Sequence, residues 1–280
     1  MADAGLTHDA WLERVPKLVD ECVESWDLRL GDPYPAGAAG YTVRADLPDG
    51  TPVVLKVIFP HREAEHEAAA LRVWDGDGAV RLLDYDDERW ALLLERCEPG
   101  TLLADAEPET ALDVFIELLP RLWMNEGAPF RTLANEAGWW IDSLPGDWER
   151  AGRPFDRRLV DTAIGTLQEL SDSQGEQVLL HQDLHGDNVL AAEREPWLVI
   201  DPKPLVGERE FGLAPIVRDV ELGNGRPDLL RRFDRLTAEL GLDRERARGW
   251  TIGQTIAWSF DTSYLPQHVQ LVQWLLESSR

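Results

Sequence analysis

The segment His181-Gln182-Asp183-Leu184-His185-Gly186-Asp187-Asn188, followed thirteen positions later by Asp201, constrains this chain more than any other. It sets three oxygen-bearing side chains, Asp183, Asn188 and Asp201, at fixed offsets. Phosphoryl transfer from ATP needs that set: one carboxylate to position a hydroxyl, and an amide with a second carboxylate to hold magnesium. Each residue alone reads as an ordinary turn former or strand end. Their joint spacing argues against that.

The segment also predicts a hairpin. Asn188-Val189-Leu190-Ala191-Ala192 and Trp197-Leu198-Val199-Ile200-Asp201 are short apolar runs separated by Glu193-Arg194-Glu195-Pro196. A four-residue connection of that kind suits two antiparallel strands. If Ala192 pairs with Trp197, Asn188 falls opposite Asp201. Opposed residues have Cβ atoms about 5 Å apart, close enough for two oxygens to converge on one Mg²⁺.

A chain of 280 residues with 44% hydrophobic content suits one large domain or two lobes. No apolar run is long enough for a transmembrane helix, and no signal peptide is evident at the N-terminus. Cys22 and Cys97 form no disulfide framework or zinc spacing, so a cytoplasmic protein is expected. The net charge of −24 excludes nucleic acid as a natural partner and favours a cationic small molecule. The same charge could serve solubility alone. A monomer or weak dimer is expected.

Periodic apolar residues predict a helix over 7–26. A glycine-rich stretch, Gly31 to Gly40, leads into strand 41–47, the turn Pro48-Asp49-Gly50 and strand 51–57. A helix is predicted over 61–74, then strands over 81–83 and 90–95. From about residue 101 the patterns are helical, over 109–123, 132–143, 155–171, 226–240 and 243–260, interrupted only by the 188–201 hairpin. The expected class is α+β, with a small antiparallel sheet in residues 1–97 and a mainly helical part in 98–280.

Lys17, Lys56 and Lys203 are the three lysines of the chain. Lys56 sits mid-strand in Val54-Leu55-Lys56-Val57, a pattern that matches a phosphate-binding lysine. Glu67 on the following helix is its expected partner, with Glu63 as the alternative. Backbone around Gly37 and Gly40 could approach phosphates, and backbone at Glu95 and Cys97 could meet adenine. Cys97 reads as a structural thiol. His181 reads as a loop support and His185 as a support or a surface residue. The sequence has neither H-E-x-x-H nor G-x-S-x-G, which disfavours zinc and serine hydrolases.

With these parts assembled, the chain resembles the aminoglycoside phosphotransferase family, in its streptomycin 6-kinase and hydroxyurea phosphotransferase branch. The resemblance rests on residues 180–190, on Glu195-Pro196-Trp197-Leu198-Val199-Ile200-Asp201-Pro202-Lys203-Pro204, on Glu67-Ala68-Ala69-Ala70-Leu71, on Leu94-Glu95-Arg96 and on residues 242–250. It implies a protein-kinase-like bilobal fold, ATP and Mg²⁺ as cofactors, Asp183 as catalytic base, Asn188 and Asp201 as metal ligands, and Lys56 with Glu67 on the phosphates. It implies phosphorylation of a small-molecule hydroxyl, such as one on streptomycin. Asp187, Trp258 and Asp261 are candidate acceptor contacts, with Glu208 and Glu210 behind them.

The chain departs from the family pattern at three points. Gln182 and Asp187 stand where the family prefers glycine, and Gly212 follows Phe211 where it prefers aspartate. Two other readings stay open: a kinase for an uncharged metabolite such as a sugar, amino alcohol or hydroxyurea-like compound, and a nucleotide-binding protein without turnover.

Overall fold

The computed structural model describes residues 6–35, 39–260 and 265–278. The chain divides into two compact units, residues 1–101 with 190–203, and residues 102–189 with 204–280.

In the first unit, helix α1 (His8–Trp26) starts at Thr7, whose side chain accepts from the Ala10 amide. Strands β1 (Arg29–Pro33), β2 (Gly40–Asp46) and β3 (Pro52–Ile58) follow, then helix α2 (Glu67–Trp74) and strands β4 (Leu82–Asp86) and β5 (Ala91–Glu95). The sheet is antiparallel in the order β1-β2-β3-β5-β4. Side chains alternate across a strand. Val53, Leu55 and Val57 of β3 therefore join the core that buries Trp11, Val15 and Val19 of α1. Lys56 must point to the other face of the most central strand.

Two predicted elements differ. The glycine-rich connection contains β1, whose five residues are all exposed and so carry no apolar alternation. The helix expected over 61–74 begins only at Glu67; before it the chain winds through short turns, with Ala64 N–H donating to His61 O and Glu67 N–H to Ala64 O.

Residues 190–203, expected with the C-terminal part, pack with the first unit. Ala191 exchanges backbone bonds with Gly100 and Thr101, and Val199 with Gly78 and Val80. Arg194 fixes the hairpin tip. Its guanidinium donates to both Glu95 oxygens at 2.8 and 2.9 Å, to Gly76 O, to Ala79 O and to Glu195.

The hairpin strands are Val189–Ala191 and Trp197–Val199, shorter than predicted. Asn188 closes a single 3-10 turn, and Asp201 lies beyond the second strand at φ +55°. Neither is a strand residue, so they do not form the ladder pair that the register predicts.

The second unit holds α3 (Pro108–Leu122), α4 (Leu133–Arg150), α5 (Arg157–Asp172), α6 (Ala214–Arg218), α7 (Arg226–Glu239), α8 (Arg244–Ala257) and α9 (Pro266–Glu277). It also holds a sheet absent from the sequence reading, in which Leu205–Glu208 runs between Arg131–Thr132 and Gln177–Leu180. This sheet matters for the site, because the loop 181–188 leaves the end of the Gln177–Leu180 strand. In the core Trp140 stacks on Phe211, whose ring meets Trp250 edge to face.

Candidate active site

In the first unit Lys56 joins two carboxylates. Its Nζ donates to Glu67 Oε1 at 2.7 Å, to Glu67 Oε2 at 2.8 Å and to Asp201 Oδ1 at 2.5 Å. Glu67, not Glu63, is thus its helix partner. Glu67 is 1% exposed at the first turn of α2. Burial opposes charge on Lys56, but the Asp201 and Glu67 carboxylates outweigh it and hold the ammonium above the ordinary lysine range. Burial pushes Glu67 up, and Asp201 adds to this against the pull of Lys56. Two carboxylates beside a buried lysine favour its charged form against desolvation.

Gly40 opens β2, where an added Cβ would meet Val57 O at 3.3 Å. Gly37 lies outside the described residues. The Glu95 side chain belongs to Arg194 and the Arg81 amide, and its own N–H donates to Arg81 O at 2.9 Å. Cys97 is buried, and burial pushes its thiol up to about 12, as befits a structural cysteine.

In the second unit the loop 181–188 is built around Asp183. Asn188 Nδ2 donates to Asp183 O at 2.8 Å and approaches His185 Nε2 at 3.2 Å. With its NH₂ group on the loop, Asn188 has its Oδ1 as the atom suited to a metal. His185 Nε2 lies 4.0 Å from Asp183 Oδ1, and His185 Nδ1 lies 3.7 Å from the carboxylate of exposed Asp187. His185 thus supports the loop.

Close packing requires a glycine at Gly186. A Cβ there would lie 2.8 Å from Ala104 Cα and 2.9 Å from Ala104 N, so the backbone of the 103–105 turn leaves no room. The Gly186 amide donates to Asp219 Oδ2 at 3.0 Å. Gln182 occupies the left-handed region at φ +66°. Its side chain accepts from Arg131, its carbonyl accepts from Gln254 Nε2, and Arg131 pairs with buried Glu136.

Arg218 ends α6, donates to Gln254 Oε1 at 3.1 Å and stacks over Trp258 at 4.7 Å. Burial pulls it down to about 10, opposed by the Asp183 charge.

The sequence reading missed Arg131, Arg194, Arg218, Asp219 and Gln254. Asp219 carries a local signal, since it caps the 3-10 turn Val220–Leu222; the arginines look like any others in an arginine-rich chain. Glu208, a weaker acceptor candidate, is instead buried and held by Arg246, Trp250 and the Gly175 amide. Glu210 accepts from the Asp243 amide. Asp261 lies outside the described residues. Among the described residues no helix is long and apolar enough to cross a membrane.

The profile of the aminoglycoside/hydroxyurea antibiotic resistance kinases matches residues 32–261. The chain belongs to this family. As a kinase of the antibiotic-resistance type it is a phosphotransferase. It is 38% identical to a streptomycin 6-kinase of Streptomyces griseus, over 95% of this chain and 91% of that protein. It is 41% identical to a hydroxyurea phosphotransferase of Kitasatospora aureofaciens, over 90% of this chain and 74% of that one. The fold of this kinase is similar to that of the choline kinase LicA from Streptococcus pneumoniae, with a TM-score of 0.67 at 15% identity, covering 95% and all of the two chains. The aminoglycoside phosphotransferase APH(4)-Ia, in a complex with ADP and hygromycin B, gives a TM-score of 0.60 at 15% identity, covering 92% and 95%.

Proposed function

We propose that this kinase transfers the γ-phosphoryl group of ATP to a hydroxyl of a small molecule, with an aminoglycoside such as streptomycin as acceptor. The observation that carries the reading is the Lys56 ammonium held by both Glu67 and Asp201. Within a family of kinases, a buried lysine so held is suited to phosphate oxygens. The first unit would bind the nucleotide, with the backbone at Gly40, Glu95 and Cys97 near the base and phosphates.

Asn188 and Asp201 would hold Mg²⁺. The donor chemistry fits, because Mg²⁺ prefers oxygen and takes only one or two protein ligands alongside phosphates and water. Among the described residues no cluster of three or more His, Cys, Asp or Glu side chains competes with it for a metal. When bound, the ion would neutralise phosphate charge.

Asp183 would accept a hydrogen bond from the acceptor hydroxyl and take its proton late in transfer. The anchored loop backbone keeps its carboxylate in place. Asp187 and Trp258 would contact the acceptor; an exposed carboxylate suits an ammonium or guanidinium group.

A second reading, an uncharged acceptor, is supported by the 41% identity to a hydroxyurea phosphotransferase. Release of ADP in the presence of streptomycin, hydroxyurea or a neutral sugar separates the two readings. Asp183→Asn is expected to lower transfer at least about a hundredfold. Unchanged transfer by that variant would sink the proposed function.

A further inference from the structure

A cavity of about 410 Å³ opens in the second unit between α7, α9 and the turn after α6. Ligand pockets start at roughly 300 Å³, so this one holds a group the size of a single sugar or cyclitol ring. Its polar lining includes Arg218, Arg232, Asn224, His268 and Gln270, and Trp274 contributes an apolar face.

The charges in this lining run against those of the rest of the molecule. The chain carries a net charge of −24, yet no carboxylate is among the described residues that line the cavity. Arg232 is not available to a ligand, because its guanidinium donates to the carbonyls of Val217, Leu222 and Gly223. His268 has a hydrogen bond with the Thr255 backbone, while its Nδ1 has no partner. Burial and the Arg218 charge keep that imidazole neutral at pH 7. Arg218 therefore supplies the accessible charge. Among the described residues its hydrogen-bond partner is Gln254, and a planar guanidinium carries five N–H donors.

Arg218 also ties the cavity to the catalytic loop. Gln254 links it to the Gln182 carbonyl, one residue before Asp183, and the Asp183 charge acts on its guanidinium. A ligand seated on Arg218 is thus close in the network to the residue that would receive the acceptor hydroxyl.

We propose that this cavity is a subsite for an uncharged, hydroxyl-bearing ring of the acceptor, and that Arg218 selects it by donating to a ring oxygen. The inference rests on Asp183 being the residue that faces the acceptor. Cationic groups of the same acceptor would be repelled by Arg218 and directed elsewhere, toward Asp187. Amides at Asn224 and Gln270 suit further hydroxyls, and the Trp274 indole suits the C–H face of a ring.

The test is calorimetric titration of streptomycin into full-length Asp183→Asn protein, which reads binding without turnover. Adding Arg218→Ala is expected to weaken binding about tenfold, the scale of one lost charged hydrogen bond. Arg218→Lys should recover part of it. Val220→Trp, a change at an exposed residue on the cavity rim, should weaken binding by filling the cavity mouth. Circular dichroism checks that each variant is folded. Unchanged affinity in the Arg218→Ala or Val220→Trp protein overturns the subsite. So does tighter binding in an Arg218→Glu protein, which would mean that the cavity takes a cation, and so does absence of streptomycin binding. Transfer that survives Asp183→Asn would instead overturn the proposed function and leave the cavity result to be read by itself.

Discussion

Arg131 Nη2 lies 3.2 Å from Gln182 Oε1, and this bond reaches a buried residue in the left-handed region at φ +66°, one position before Asp183. A residue with a Cβ pays about 1–2 kcal/mol for that conformation relative to glycine. Gln182→Ala keeps the unfavourable φ and loses the hydrogen bond, so urea denaturation should show a loss of about 1–3 kcal/mol. Gln182→Gly should recover about 1 kcal/mol of it. Equal stability of the two variants would mean that φ at this position is of no energetic consequence.

Lys56 and Glu67 should behave as a coupled pair. Lys56→Met removes the cation and leaves Glu67 buried at 1% exposure. Breaking a buried pair on one side costs about 3–5 kcal/mol. Lys56→Met with Glu67→Gln removes the stranded charge, so the double variant should be more stable than Lys56→Met alone. Both should lose phosphoryl transfer. A double-mutant cycle by denaturant melts reads the coupling, and simple additivity would refute it.

Gly186→Ala should be destabilising by about 1–3 kcal/mol, as for other insertions into packed sites. The clash is with the Cα and N of Ala104 at 2.8 and 2.9 Å, which are backbone atoms. Ala104→Gly removes only the Cβ neighbour at 3.0 Å and should not rescue the variant. Full rescue, measured by thermal melting, would show that the side chain and not the backbone sets the limit.

His268 should contribute an acid limb to stability. Burial, and then the charge of Arg218, lower it from the ordinary 6.5 to about 4, against a hydrogen bond with the Thr255 backbone. Between those values the unfolded chain binds a proton that the folded state refuses. Stability therefore rises with pH through that window and is lost as pH falls. His268→Gln should flatten the denaturation free energy between about pH 4 and 6.5 relative to the parent. An unaltered slope would remove His268 from the account.

Much of the first unit was legible because its signals are local. Helix α1 shows apolar spacing, and β2 and the apolar run of β3 flank the turn Pro48-Asp49-Gly50. Strand β1 was not, since five exposed residues show no pattern. The Lys56–Glu67 pair followed from a strand lysine and the glutamate on the next helix. The Lys56–Asp201 bond spans 145 residues, and nothing in the neighbourhood of either residue announces it. The strand Leu205–Glu208 is short, and its parallel partner Arg131–Thr132 has two residues and lies far upstream, so no local pattern marks the sheet. Arg131, Arg194 and Arg218 were invisible for another reason. An arginine that braces a loop has the same local sequence as one that faces water; only tertiary neighbours distinguish them.

The inclusion of residues 190–203 in the first unit sets an order of events during synthesis. The ribosome releases the five-stranded sheet early, but Asp201 emerges 145 residues after Lys56. At about 5–20 residues per second that delay is on the order of ten seconds. For that time the nascent sheet holds a lysine with one of its two carboxylates. No fragment ending at residue 101 contains Asp201, and a library of C-terminal truncation products would contain the strands without the Lys56–Asp201 pair.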